Sequence, residues 1–315
     1  MRLFALNGAR MAILRVSILV LSLAGCVSES RQQEAPAQDV FLKGTGVSVF
    51  AAGDIADCRK ATPAASGAAK TAALMAPLLE ADPNALVLGL GDHTYPVGLP
   101  AEFRDCYEPT WGRFKSRTWP VPGNHEYYSP HAAGYYSYFG ERAGPPQRGY
   151  YSLRAGNWLL IAMNSYLKPE DHAKQLAWLK AELEANPARC TLAFWHHPVY
   201  SSGGHGSDKR MQEAWRILHE AGAELVLSAH DHDYERFAPQ DSAGRRDDAR
   251  GMRQFVVGTG GATLTPVRFP KPNSEYRNNL SLGVLKLVLK DGGYEWEFLP
   301  VDADGERDRG AAPCH

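Results

Sequence analysis

Five short apolar runs, each ending abruptly in polar side chains able to bind a metal, constrain this chain more than any other feature of its sequence. Residues 47–52 lead into Gly53-Asp54, 85–90 into Gly91-Asp92, 119–122 into GNHE, 191–195 into His196-His197, and 225–227 into SAHDH. Short runs rich in aliphatic and β-branched residues, bounded by glycine, proline and small polar residues, read as buried strands. Open α/β sheets bind ligands in the crevice outside the carboxyl ends of their strands, so these ends bring residues distant in sequence to one rim. A lone Asp or His at such a place is usually a hydrogen-bonded structural group. Here Asp54, Asp92, Asn124, His196, His230 and His232 recur together beside tight-turn residues, which points to one shared site.

Between these runs, residues 62–80, 169–185 and 207–221 predict helices. Leu176, Leu179 and Leu183 fall at helical spacing and read as a core-facing stripe. Further runs at 150–153, 158–163, 255–257, 284–289 and 294–299 add strands, several with the alternation of antiparallel pairing. The expected class is α/β, with a mixed sheet or two packed sheets. VVGTGGA at 256–262 lacks the spacing of a dinucleotide fingerprint and the lysine of a phosphate loop, and is expected to be a backbone turn near the site. In the polar stretch 240–250, Arg245, Arg246 and Arg250 are offset by Asp241, Asp247 and Asp248, as in a solvated loop.

The 315 residues carry a formal net charge of −1 and no long run of Lys or Arg. That balance provides no electrostatic footprint for nucleic acid or for peripheral attachment to anionic lipid, so attraction for an anionic substrate must be local. At the N-terminus, Arg2, Arg10 and Arg15 precede or interrupt an apolar run at 16–23 that is too short to span a bilayer as a mature helix. LAGC at 23–26 resembles the lipobox of bacterial lipoproteins, which implies cleavage before Cys26 and acylation of its thiol. An ordinary secretory signal with a neighbouring cysteine is the alternative. Residues 1–25 are then a signal peptide, 26–45 a lipid-attached flexible tether and 46–315 the folded domain. The expected location is the bacterial envelope, periplasmic or at the outer membrane, with membrane contact through the lipid anchor only. Export leaves Cys58, Cys106, Cys190 and Cys314, an even set suited to disulfides in an oxidising compartment, with four free thiols as the alternative. Of the possible connectivities, Cys58 with Cys106 and Cys190 with Cys314 is favoured. The first pair joins two loops that each follow a candidate ligand turn, and the second staples the C-terminus to a strand.

In order, GDI, GDHTY, GNHE, HHPVY and HDHDYER resemble the motif series of the calcineurin-like metallophosphoesterases, and are most similar to their purple acid phosphatase branch. The resemblance covers roughly 47–237. Two features select the branch. Ala56 stands two residues after Asp54, where most metallophosphoesterases have a histidine, and Tyr95 stands three residues after Asp92, where the purple branch has a metal-bound phenolate. The resemblance implies a four-layer αββα sandwich of two mixed sheets flanked by helices, forming a single catalytic domain. It implies one metal held by Asp54, Asp92, Tyr95 and His232 and a second held by Asp92, Asn124, His196 and His230, with Asp92 bridging. Phenolate suits a hard trivalent ion, and amide oxygen with imidazole suits a divalent one, so Fe(III) paired with Fe(II), Zn(II) or Mn(II) is the implied cofactor. His197 and His93 fall at variable positions. His197 is expected to support His196 from behind, and His93 to point away from the site. Ala229 replaces the usual glycine before His230, which is tolerable unless the backbone there needs a positive φ.

The implied activity is hydrolysis of phosphate monoesters on small substrates, by in-line attack of a water whose pKa the metals lower from 15.7 to roughly 7. His125 resembles the family histidine that contacts phosphate and helps protonate the leaving group, with Glu126 orienting it. His205, in the SSGGHGSD loop, is placed like a substrate-facing histidine, and both are candidate general acids. Trp111, Tyr127, Tyr128, Tyr135 and Tyr136 are candidates for an aromatic wall, although packing explains most such residues. A phosphodiesterase or nucleotidase using the same centre is the enzymatic alternative. A catalytically inactive envelope lipoprotein with an interaction role is the alternative of another class.

Overall fold

In the computed structural model, which describes residues 46–267 and 269–315, strands β5 (Trp158–Ala162), β6 (Cys190–Phe194) and β7 (Leu225–Ser228) are buried along their whole length. Their alternate side chains separate into two cores, as a pleated strand with both faces covered requires. Leu160, Ala162, Leu192, Phe194, Leu225 and Leu227 enter one cluster. Leu159, Ile161, Ala193, Trp195 and Val226 enter the other, which they share with Leu179 of helix Pro169–Ala185 and with Ala214, Trp215, Ile217 and Leu218 of helix Gln212–Glu220. The first cluster also takes in Phe50, Leu88, Leu285 and Leu287 from β1 (Val47–Ala52), β2 (Leu86–Gly89) and β11 (Gly283–Lys290), with Ala72, Met75 and Leu79 of helix Gly67–Ala81. The result is two sheets face to face, flanked by helices. The sandwich is therefore as the motif series implied, and the residue-level choice between one mixed sheet and two packed sheets resolves to two.

With β3 (Thr118–Pro120), β4 (Tyr151–Ala155), β8 (Tyr234–Phe237), β9 (Arg253–Val257), β10 (Ser274–Asn278), β12 (Gly293–Pro300) and β13 (Arg309–Pro313), the sheet orders are β13-β12-β11-β1-β2-β3 and β10-β8-β9-β7-β6-β5-β4. Within the first sheet β1, β2 and β3 run parallel, and within the second β5, β6, β7 and β9 do. The site-bearing turns follow the carboxyl ends of β1, β2, β3, β6 and β7, so each sheet contributes one side of a common rim.

Two of the three expected helices begin later than their apolar pattern suggested. At the first, Pro63–Ala65 forms a 3-10 turn, and the chain then starts again at Gly67 with the Ser66 hydroxyl accepting the Ala69 N–H at 3.2 Å. At the third, a 3-10 turn at Lys209–Met211 precedes Gln212, with the Asp208 carboxylate accepting the Arg210 N–H at 2.9 Å. Strands β8, β10 and β13 went unforeseen. The last two lie at sheet edges, where burial is incomplete and the apolar signal weak. Cys58 pairs with Cys106 and Cys190 with Cys314, with Cα separations of 5.9 and 5.8 Å. The signal segment, the tether and Cys26 lie outside the described residues.

Candidate metal centre

Three of the turns place their acidic or imidazole residue in the left-handed region: Asp54, Asp92 and His230 have φ of 57°, 48° and 69°. Such a conformation costs a non-glycine residue about 1–3 kcal/mol and persists where surrounding contacts over-determine it. Two of the side chains reach partners from the other sheet, Asp54 the His230 N–H and Asp92 the His196 ring, while the His230 ring lies against His196 and His197. Ala229 keeps an ordinary φ, and His230 takes the left-handed one, so the missing glycine introduces no strain at position 229.

The contacts form two groups that meet. In one, Asp54 Oδ1 accepts the Tyr95 hydroxyl at 2.9 Å and lies 3.3 Å from His232 Nε2, which is itself 3.3 Å from the Tyr95 oxygen. Asp54 Oδ2 accepts the His230 N–H at 2.9 Å. In the other, His196 Nε2 lies 3.2 Å from both Asp92 Oδ2 and Asn124 Oδ1. Asp54, Asp92 and His196 offer donor atoms within 4.8 Å of one another, and this trio links the groups. The remaining ring nitrogens are tied to carbonyls: His196 Nδ1 lies 2.8 Å from Leu90 O, and His232 Nδ1 2.8 Å from Thr263 O. A carbonyl can only accept, so Nδ1 carries a hydrogen in each ring and Nε2 is the nitrogen that faces the carboxylates.

Asp54 and Asp92 are at most 1% exposed, yet among the described residues neither is paired with Lys or Arg. Their charged neighbours are imidazoles. Burial opposes charging His196 and His232, but the adjacent carboxylates outweigh it and raise each to about 9. His230 is driven down to about 3 by burial and then by His196. Burial, followed by Asp54 and Asp92, pushes the Tyr95 phenol well above its ordinary value. The cage is thus built on two buried carboxylates with imidazole nitrogens turned toward them and, among the described residues, no Lys or Arg beside them.

Glu126 does something other than what its place beside His125 suggested. Its Oε2 accepts the N–H groups of Gly123 and Asp92 at 2.7 and 2.9 Å, and Oε1 accepts that of His93 at 2.8 Å. It ties the turn after β2 to the turn after β3. The His125 ring is instead oriented by the Pro96 carbonyl, 2.5 Å from Nδ1, with Nε2 3.8 Å from Asp92 Oδ2. Two glycines serve close approach here. A Cβ on Gly123 would lie 2.1 Å from Asp92 Oδ1, and one on Gly258, in the expected glycine-rich turn, 1.9 Å from the Asp231 carbonyl oxygen and 2.8 Å from Asp54 Oδ2.

His205 stands at the mouth, its side chain about half exposed and its ring centre 4.5 Å from that of His230. Its loop is held by Asp231, which sequence reasoning passed over. That buried carboxylate accepts the N–H groups of His205 and Gly206 at 2.6 and 3.0 Å as well as the Ser201 hydroxyl. Its place between His230 and His232 was the available signal. His93 is fully buried among Tyr107, Tyr135 and Phe139. Of the aromatic candidates, Trp111 and Tyr135 belong to the core, and Tyr127 and Tyr136 pack against it. Tyr128 is 53% exposed and accepts the Asn124 amide N–H at 2.9 Å, so it alone of the five presents a largely open face. Beside Tyr95 a groove of about 680 Å³ runs under the Cys58–Cys106 disulfide, lined by Arg59, Lys60 and Glu102.

The sequence profile described as Calcineurin-like phosphoesterase matches residues 47–234, from β1 to the start of β8. The chain belongs to the calcineurin-like phosphoesterase family. Purple acid phosphatase 21 of Arabidopsis thaliana is 28% identical to it over 256 residues, covering 69% of this chain and 58% of that protein. Purple acid phosphatase 23 of the same plant is 30% identical over 198 residues, 50% and 43% of the two chains. This phosphoesterase chain therefore spans about half the length of the curated relatives it matches. Among solved structures, purple acid phosphatase PPD1 from yellow lupin seeds aligns with a TM-score of 0.63 at 16% identity, over 86% of this chain and 54% of that one. A dimetal phosphatase from Danio rerio aligns at 0.58 and 14%, over 86% and 100%. At such identities the structural likeness is one of fold, while the sequence relatives place the chain in the purple-acid-phosphatase-like branch of its calcineurin-like family.

Proposed function

We propose that this chain is a dinuclear-metal phosphoesterase that hydrolyses phosphate monoesters. The observation that carries the proposal is the pair of buried carboxylates, Asp54 and Asp92, that face imidazoles and a phenol, with an amide oxygen on the same His196 nitrogen, and among the described residues no Lys or Arg. Buried charges are otherwise paired or coordinate metals. The donor chemistry fits two cations: Asp54, Asp92, Tyr95 and His232 for one, and Asp92, Asn124, His196 and His230 for the other, with Asp92 shared. A phenolate is a hard donor suited to a trivalent ion, and amide oxygen with imidazole suits a divalent one, which favours Fe(III) at the first position and Fe(II), Zn(II) or Mn(II) at the second. Bound there, the ions supply a water acidic enough to attack at neutral pH and offset charge building on the phosphoryl oxygens.

The chain's own groups do the rest. His125, with Nδ1 donating to Pro96 O, presents Nε2 at the edge of the site, where it holds a proton for the departing oxygen. Asp231 fixes His205 opposite, through its N–H and ring, so that the exposed side of the imidazole meets the substrate. Tyr128 offers a rim for the organic group. The test is metal analysis of the purified protein alongside its activity on an aryl monoester and the matching diester. About two ions per chain, faster monoester hydrolysis, and a visible absorption band lost in a folded Tyr95→Phe variant are expected. One ion or none after reconstitution defeats the proposal.

We also infer export and lipid attachment through Cys26, supported by the LAGC sequence and by two disulfides of the kind oxidising compartments sustain. Expressed full-length in a bacterial host, the protein should sediment with membranes and its Cys26→Ser variant should not. Equal solubility of the two refutes the anchor.

A further inference from the structure

His197 was expected to stand behind His196, outside the ligand set, and its surroundings say otherwise. The side chain is 2% exposed, and its ring centre lies 4.4 Å from that of His230 and 4.9 Å from that of His196. Ring nitrogens of these three histidines lie within 4.8 Å of one another. Nδ1 of His197 is 2.9 Å from Ser165 Oγ, which also accepts the His197 N–H at 3.2 Å. Tyr166 stacks over the ring at 5.9 Å, with 17° between the planes. One nitrogen is thus anchored outside the cluster and the other is left for it, the division seen at His196 and His232. Metal-binding histidines commonly show this division, because the hydrogen bond at one nitrogen fixes the ring and directs the lone pair of the other. Among the described residues no carboxylate pairs with His197.

We propose that His197 supplies a third imidazole nitrogen to the second metal position, beside His196 and His230. The proposal rests on the dinuclear reading above. With Asn124 and the shared Asp92, the position then has five protein donors, three of them imidazole. Such a set favours Zn(II) over Mn(II) or Mg(II), which prefer oxygen.

The experiment is a chelator-competed Zn(II) titration of the purified protein, with visible spectra of its Co(II)-substituted form as a second readout independent of turnover. Wild type should take up two ions. His197→Ala should still take up two, the weaker by about ten- to a hundredfold, with a changed Co(II) spectrum for that site. His197→Gln retains bulk and a polar end, and should show the same loss in a protein shown by circular dichroism to be folded. Unchanged affinity and spectrum in either folded variant overturn the third imidazole while leaving the dinuclear centre standing. Failure of wild type to hold two ions overturns both.

Discussion

Replacement of Asp92 by asparagine is expected to lower kcat/KM at least about a thousandfold and to reduce bound metal from about two ions to one or fewer. The magnitude corresponds to losing roughly 4 kcal/mol of transition-state stabilisation, the scale on which a preorganised charge acts in a water-excluded site. Asp92 touches the second cluster through His196 Nε2, and its donor atom lies within 4.8 Å of one from Asp54 in the first. Asparagine keeps the shape and the Oδ1 acceptor for the His125 N–H, so the turn should still form. What disappears is the negative charge and one of the two oxygens, and an amide nitrogen cannot bridge two cations. Metal analysis and steady-state hydrolysis of an aryl phosphate, both on protein shown to be folded, check the result. A variant that retained two ions would sink the shared role.

His125→Ala is expected to slow hydrolysis of alkyl phosphates by about a hundred- to ten-thousandfold, and that of p-nitrophenyl phosphate less than about tenfold. A nitrophenolate departs without help, whereas an alkoxide needs a proton at the moment the bond breaks. The substitution leaves the backbone N–H that holds Asp92 Oδ1 at 2.9 Å, so metal content should be unchanged. Comparing kcat/KM across a leaving-group series on wild type and variant decides the matter. Equal losses on both substrates would assign the ring to phosphate positioning.

How far the sequence could be read depended on how local each signal was. The turn after β1 shows itself in Gly53-Asp54 because an apolar strand followed by glycine and a polar residue is a pattern within a few positions. Glu126 was misread for the complementary reason. Adjacency to His125 suggested a partnership, but the two open a helical turn, Asn124–Tyr127, on which neighbouring side chains point in different directions. Its carboxylate meets three backbone N–H groups instead, two of them more than thirty positions away. Asp231 was passed over because its place between His230 and His232 marks it as near the site but does not show its partners, the N–H groups of His205 and Gly206, 26 and 25 positions away. Strands β10 and β13 escaped notice because an edge strand has less surface to bury and so a weaker apolar pattern.

By itself, then, the amino-acid order determined the α/β class, the rim of strand ends and the donor types available there, since hydrophobic period and turn chemistry act over a few residues. The tertiary structure alone decided which donors meet. Asp54 accepts an N–H from a residue 176 positions away because two sheets pack face to face and bring their carboxyl edges together. It also decided that His197 turns toward His230, because a side chain's direction at a strand end follows from the contacts that close around it.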